Sequence, residues 1–257
     1  MYEEDELKII DPDAEFDDPL DQIAPAGETS EEPQVDPEEM LQLLDSPQAQ
    51  QRMLAARAFC ELEEPRAVPR LIELLKDSCP LVRVSAAYAL GRNADPTAIA
   101  PLIEQLYDWN GYVRKGVVWA LGNNHTPEAL APLADALKTD IPAVRLWAAS
   151  ALAQMINVNY ETVVAALAPI IEVMRRDPIA AVRSNCAWAI GQLCRELPSN
   201  VVYATAIDAL IETFAEDEDL GVREDARTAI LNVGDPRGLK DHRGTRARRL
   251  VLSQRCC

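Results

Sequence analysis

The residues best equipped for chemistry are few, and most stand alone. The chain of 257 residues has six cysteines and two histidines. Cys256 and Cys257 form a vicinal pair beside Arg255, whose charge lowers a thiol pKa and favours metal or disulfide chemistry. Two thiolates cannot close a tetrahedral site, so a metal there needs further ligands from a partner. A shared metal or cluster site, a free tail and lipidation all stay open for this pair. His125 and His242 have no Cys or carboxylate at ligand spacing and read as solvated loop residues. Cys186 and Cys60 fall at positions that other segments fill with small residues, which is a packing role. Cys79, beside Pro80, and Cys194, past a helix end, are candidates for exposure. No C-x-x-C pair, nucleophile elbow, P-loop, dinucleotide fingerprint or zinc-hydrolase helix occurs. The acids of Asp217-Glu218-Asp219 read as a solvated turn. No catalytic residue emerges, and the chain is expected to carry no cofactor of its own.

Recognition is the other chemistry available. Aromatics make up only 5% of the chain, yet Tyr88, Trp119 and Trp188 recur in one register, with Trp147 close by. Their neighbours are Arg92, Asn123, Gln154 and Gln192 rather than aliphatics. Aromatic anchors flanked by polar groups suit a protein-binding surface. The competing reading is that the rings plug gaps between helices. Trp109 and Tyr112 lie in a turn and read as edge features.

The elements that must position these rings form a repeat. Leu-Val-Arg at 81–83 recurs as Tyr-Val-Arg at 112–114, Ala-Val-Arg at 143–145 and 181–183, and Gly-Val-Arg at 221–223, with Arg52 in a degenerate first copy. The arginines are 31, 31, 31, 38 and 40 residues apart, so the last two intervals carry lengthened loops. Each Arg predicts a following helix with small or apolar residues at +3, +4, +6 and +7, such as Ala86, Ala87, Ala89 and Leu90, on one buried face. A Gly at +8 (Gly91, Gly122, Gly191) is expected to relax the helix end. Asp95-Pro96 or Thr126-Pro127 then opens a second helix, which ends on an Asp (Asp77, Asp108, Asp140, Asp177, Asp217). An Asp column beside an Arg column has a structural use. Each Asp can cap the next helix, and each Arg fork can bond a neighbouring Asp or a carbonyl.

The stretch Val82 to Ile103 (Val-Arg-x-x-Ala-Ala-x-Ala-Leu-Gly, then Asp-Pro-x-Ala-Ile-x-Pro-Leu-Ile) resembles HEAT-like repeats of the class shared with phycobilin lyase subunits. The likeness covers about residues 40 to 240. It implies an all-α, right-handed α-solenoid of five to six HEAT-like hairpins. The layout of acidic leader, repeats and short tail is also similar to a group of cyanobacterial HEAT-repeat proteins that includes binders of A-type iron–sulfur carrier proteins. That resemblance implies an iron–sulfur carrier as partner. The lyase likeness implies instead a phycobilin lyase subunit or a chromophore-binding factor that handles a phycobiliprotein. Either way, an iron–sulfur cluster or a bilin is met only through a partner.

In a solenoid each hairpin touches only its neighbours, and stacking makes a long concave surface. The helix that follows each Arg should line it, with positions +2, +5 and +9 facing inward. The expected partner-binding residues are therefore Tyr88, Arg92, Trp119, Asn123, Trp147, Gln154, Trp188 and Gln192.

Charge divides the chain further. The net charge is −17, and Met1 to Glu39 holds 16 acids against the single Lys8. With Pro12, Pro19, Pro25 and Pro33 among those acids, residues 1–36 are expected to be a disordered leader, either a plain solubilising tail or a segment whose apolar residues fold onto a partner or the groove. Residues 37–240 form the expected solenoid, and 241–257 a short basic tail. No broad basic surface faces phosphates, which argues against a nucleic-acid partner. No apolar run approaches the roughly 20 residues that span a bilayer. With no export signal, a cytoplasmic location and free thiols are expected.

Overall fold

The computed structural model describes residues 36–198 and 200–237. Residues 1–35 of the acidic leader, and the basic tail with Cys256, Cys257 and His242, lie outside the described residues. Twelve α-helices and no strand occur among the described residues. They are α1 (Pro37–Leu43), α2 (Ala49–Ala58), α3 (Val68–Leu74), α4 (Pro80–Arg92), α5 (Pro96–Glu104), α6 (Gly111–Asn123), α7 (Leu130–Thr139), α8 (Pro142–Ala153), α9 (Tyr160–Arg176), α10 (Ala180–Cys194), α11 (Val201–Glu216) and α12 (Leu220–Val233). Odd and even helices alternate as six hairpins, and the hairpins stack into an α-solenoid.

The even helices begin three residues before their Arg, not after it. Pro80 and Pro142 occupy the first turn of α4 and α8, where a missing N–H costs nothing. Asn110 and Asp219 cap α6 and α12 through their side chains. In α4 the positions +3, +4, +6 and +7 are fully buried. They span more than the single face expected, because α4 packs on its own partner α3 and on both neighbouring even helices, α2 and α6.

The glycines at +8 do not relax helix ends. Gly91, Gly122 and Gly191 lie inside α4, α6 and α10. A Cβ on Gly122 would sit 2.9 Å from both Cα and Cβ of Ala151, and one on Gly191 would sit 2.9 Å from Cβ of Ala229. The missing side chain lets successive even helices press together backbone to side chain. The even helices pack intimately along the stack, while the odd helices touch one another less. A stack that is tight on one side and open on the other curves toward the tight side. The even layer is therefore the inner one.

The Arg and Asp columns interlock at the turn edge. Arg83 donates through Nε and Nη2 to Oδ2 and Oδ1 of Asp108 at 2.6 and 2.9 Å, and through Nη1 to the Asp77 carbonyl at 2.8 Å. Arg114 repeats this with Asp140 and the Asp108 carbonyl, and Arg145 with Asp177 and the Asp140 carbonyl. Arg183 does so with Asp217 and the Asp177 carbonyl, and Arg52 reaches Asp77 and the Ser46 carbonyl. Each Arg thus ties its own turn to the Asp of the next hairpin. Arg223 donates to the Phe214 carbonyl instead.

The Asp residues do not cap the helices directly. Asp77, Asp108, Asp177 and Asp217 accept the N–H two residues on, which belongs to the N-cap residue, and so they close the turn before the helix. Burial alone would raise the Asp108 carboxyl. The Arg83 fork, the Asn110 N–H and the nearby Arg114 outweigh it and hold the group below the ordinary carboxylate range. Asp77 and Asp217 are lowered by the same balance, with Arg52 and Arg183 as their forks.

A second polar tie runs through the first repeats. Buried Asn93 donates to the carbonyls of Phe59, Leu62 and Ala89 and accepts from the Glu64 N–H at 2.8 Å. Asn124, at the same register, donates to the Leu90 and Ala120 carbonyls. The signal was an Asn ten residues after the Arg in two successive copies. The next two copies place Met155 and Leu193 there, and both are buried.

Candidate functional site

Three of the expected residues come together. Tyr88, Arg92 and Trp119 line a cleft of about 810 Å³ with Met53, Arg57, Cys60, Glu61, Leu81, Val84 and Ser85. The residues come from α2, α4 and α6 and from the turn after α2, so the cleft spans three successive hairpins. Tyr88 and Trp119 meet with ring centroids 5.2 Å apart and planes inclined by 58°, a favourable tilted pairing. Gly91 makes room for this pair, since a Cβ there would lie 2.5 Å from the Trp119 ring. Trp119 both packs between helices and lines the cleft. One part of its ring seals the seam between α4 and α6, and another faces the cleft.

Burial pushes the Tyr88 phenol up, so it stays neutral and can donate a hydrogen bond. Burial also pushes the Cys60 thiol up and Glu61 adds to the rise, against the opposing pull of Arg57 and Arg92. Arg92 donates from Nε to the Cys60 carbonyl at 3.1 Å, which leaves its Nη atoms for other acceptors. Neither Arg57 nor Arg92 has an ion-pair partner among the described residues.

The other expected residues lie apart from this cleft. Half-buried Trp147 carries the Lys115 ammonium 4.9 Å from its ring centroid. Trp188, on α10, is 42% exposed. Gln154 accepts from Asn157 and Gln192 accepts from Arg195, each within its own hairpin. Asn123 is half-buried at the end of α6.

Position +2 is less open than expected, although Ser85 reaches the cleft lining. Ser85 and Gly116 are buried, and Gly116 lies under the Tyr88 ring. Asn185 reaches back to the Leu146 carbonyl and the Ser150 hydroxyl. That column is turned toward the preceding hairpin.

The cysteines divide differently from expectation. Cys194 is buried inside α10, because that helix runs further than its pattern implies, and its thiol is pushed up to about 12 by burial. Cys79 is half-buried at the N-cap of α4. Cys186 is buried in the core and its thiol is raised by the same desolvation. No group of three or more His, Cys, Asp or Glu side chains able to hold a metal occurs among the described residues. No helix among them is long and apolar enough to cross a membrane. The most exposed rings among the described residues lie at the turn edge, where Trp109 and Tyr112 were expected. Tyr107 at 84%, with Trp109 and Tyr112 at 77% each, crowd the turn between α5 and α6.

The family model for HEAT repeats matches residues 37–108 and 99–172, more than half of the chain, and a further HEAT-repeat match covers 167–197. No curated protein matches the chain. Among solved structures, a designed armadillo repeat protein in complex with the peptide (KR)4 is similar with a TM-score of 0.60 at 22% identity, covering 77% of this chain and all of that one. An engineered protein is similar with a TM-score of 0.55 at 25% identity, over 77% of this chain and 98% of that one. The complex of CpcE and CpcF of phycocyanin lyase from Nostoc sp. PCC7120 is similar with a TM-score of 0.56 at 24% identity, over 82% of this chain and 83% of that one. Helix order, turn-edge ladder and sequence match agree: the chain belongs to the HEAT-repeat family.

Proposed function

We propose that the chain is a non-enzymatic scaffold that holds a protein partner along its even-helix layer. One observation carries the reading. On a layer otherwise packed with Ala, Leu and Gly, the rings of Tyr88, Trp119 and Trp188 stay partly open, and Arg57 and Arg92 border the first two. Rigid aromatic anchors of this kind supply most of the energy in protein interfaces. The designed armadillo neighbour, which holds a peptide, supports a solenoid surface as a binding surface in general.

The partner proposed is an A-type iron–sulfur carrier protein, which rests on the resemblance described for the repeat layout. The cluster would then belong to the partner. A second reading, a phycobilin lyase subunit or a chromophore-binding factor for a phycobiliprotein, draws its support from the likeness to the CpcE–CpcF complex. Replacing Trp119 and Trp188 together by Ala should cut capture of the carrier protein sharply while the helical circular dichroism signal persists. Unchanged capture would refute the groove reading. Mixing the purified chain with phycocyanobilin separates the two readings: a shifted, sharpened visible band supports the second and counts against the first.

A further inference from the structure

Most arginines among the described residues are ion-paired, and Arg83, Arg114, Arg145 and Arg183 at the turn edge each bond both oxygens of a carboxylate. Arg57 and Arg92 break that habit. Both line the Tyr88–Trp119 cleft, and both lack a carboxylate within 4.0 Å among the described residues. Lys115 lies on the next helix of the same layer, against the Trp147 ring. Glu61 is the one acid lining the cleft among the described residues.

Unpaired guanidiniums beside an open apolar cleft are poised for carboxylates. Arg presents a planar fork that matches a carboxylate in a two-pronged bond. A cleft walled by low-dielectric rings strengthens that bond relative to open solvent. The apolar part of the lining, Met53, Leu81 and the two rings, can seat one aliphatic or aromatic side chain.

We infer that the α2–α4–α6 cleft binds an acidic segment of a protein partner, with one apolar side chain on Tyr88 and Trp119 and flanking Asp or Glu carboxylates on Arg57 and Arg92. This rests on the scaffold reading and deepens it by naming the partner's chemistry and where its acidic part lies.

The test uses the full chain and a fluorescein-labelled peptide of about ten residues with a central Leu flanked by Glu and Asp, beside a twin in which Gln and Asn replace the acids. Anisotropy should show binding of the acidic peptide alone. The pair Arg57→Gln and Arg92→Gln should weaken it by roughly tenfold or more, and salt raised from about 50 to 300 mM should weaken it similarly. Equal binding of the neutral twin, or an unaffected double variant, overturns the inference. Competition by a short oligonucleotide as effective as the peptide also overturns it, because the site then selects phosphates. A change in oligomeric state of the double variant overturns it too, because a second copy is then the occupant. If the double Trp variant loses the partner protein while the double Arg variant keeps it, the scaffold reading stands and the acidic segment falls.

Discussion

Arg83 and Arg92 stand on the same helix, nine residues apart, and behave as different residues. Arg83 is at the turn edge with a side chain 7% exposed, clamped between Asp108, itself 5% exposed, and the Asp77 carbonyl. Arg92 is on the inner layer, exposed, with a single bond to the Cys60 carbonyl. The first is consumed by the fold and the second is left over from it. The difference lies in the neighbours that the repeat supplies. At the edge, the next hairpin always presents an Asp to the fork. On the inner layer, Asn123 holds the register of Arg92 in the next hairpin, and no carboxylate of the described residues pairs with Arg92.

The largest expected effect tests the clamped side of this contrast. Asp108→Asn should cost about 3 kcal/mol in chemical denaturation, because it leaves the Arg83 charge buried without its partner. Arg92→Gln should change stability by no more than about 0.5 kcal/mol, as for an exposed side chain. Similar costs for both would erase the distinction between edge and inner layer.

The inner layer has its own structural demand, and Gly122→Ala isolates it. The new Cβ meets the Ala151 backbone, so neighbouring even helices must part, at a cost of about 2 kcal/mol. A neutral result would mean that the close approach of α6 and α8 is not needed to hold the layer.

Acid titration sharpens the comparison with smaller increments per group. Asp77, Asp108 and Asp217 have folded pKa values below their unfolded ones. Their stabilisation is therefore complete well above the ordinary Asp value of about 3.9 and is lost as pH falls through the depressed folded values. Stability should stay nearly flat with respect to these groups from pH 7 to about 5 and decline below about 4. In Asp108→Asn the decline should be shallower, whereas Arg92→Gln should follow the parent curve.

Much of the turn edge was readable before any coordinates. The Arg and Asp columns are visible because each copy must solve the same local problem, a tight turn with unpaired backbone groups, and does so with the same side chains. The buried small residues of α4 and its equivalents were readable from their spacing. The glycines were misread, since a Gly near the end of a pattern looks like a stop, and its use in close packing depends on Ala120, Ala151 or Ala229 of another hairpin. The +2 column was read as more open than it is for the same reason: how much of Ser85 or Asn185 is left to the groove depends on how far each hairpin turns against the one before. The buried position of Cys194 follows from the length of α10, which the loop-like appearance of its surroundings concealed.

The sequence by itself determined that this chain is a stack of helical hairpins joined by an Arg–Asp ladder, because periodic residues repeat periodic contacts. Only the tertiary structure decided that Tyr88, Trp119, Arg57 and Arg92 share one cleft. Those residues come from three different hairpins, and their meeting depends on the tight stacking of α2, α4 and α6. The same stacking leaves the inner guanidiniums without acids, while the turn edge leaves none of its own unmatched from Arg52 to Arg183. A repeat unit encodes what every copy does. A binding site is made of what neighbouring copies do differently, and that is expressed only when they are packed side by side.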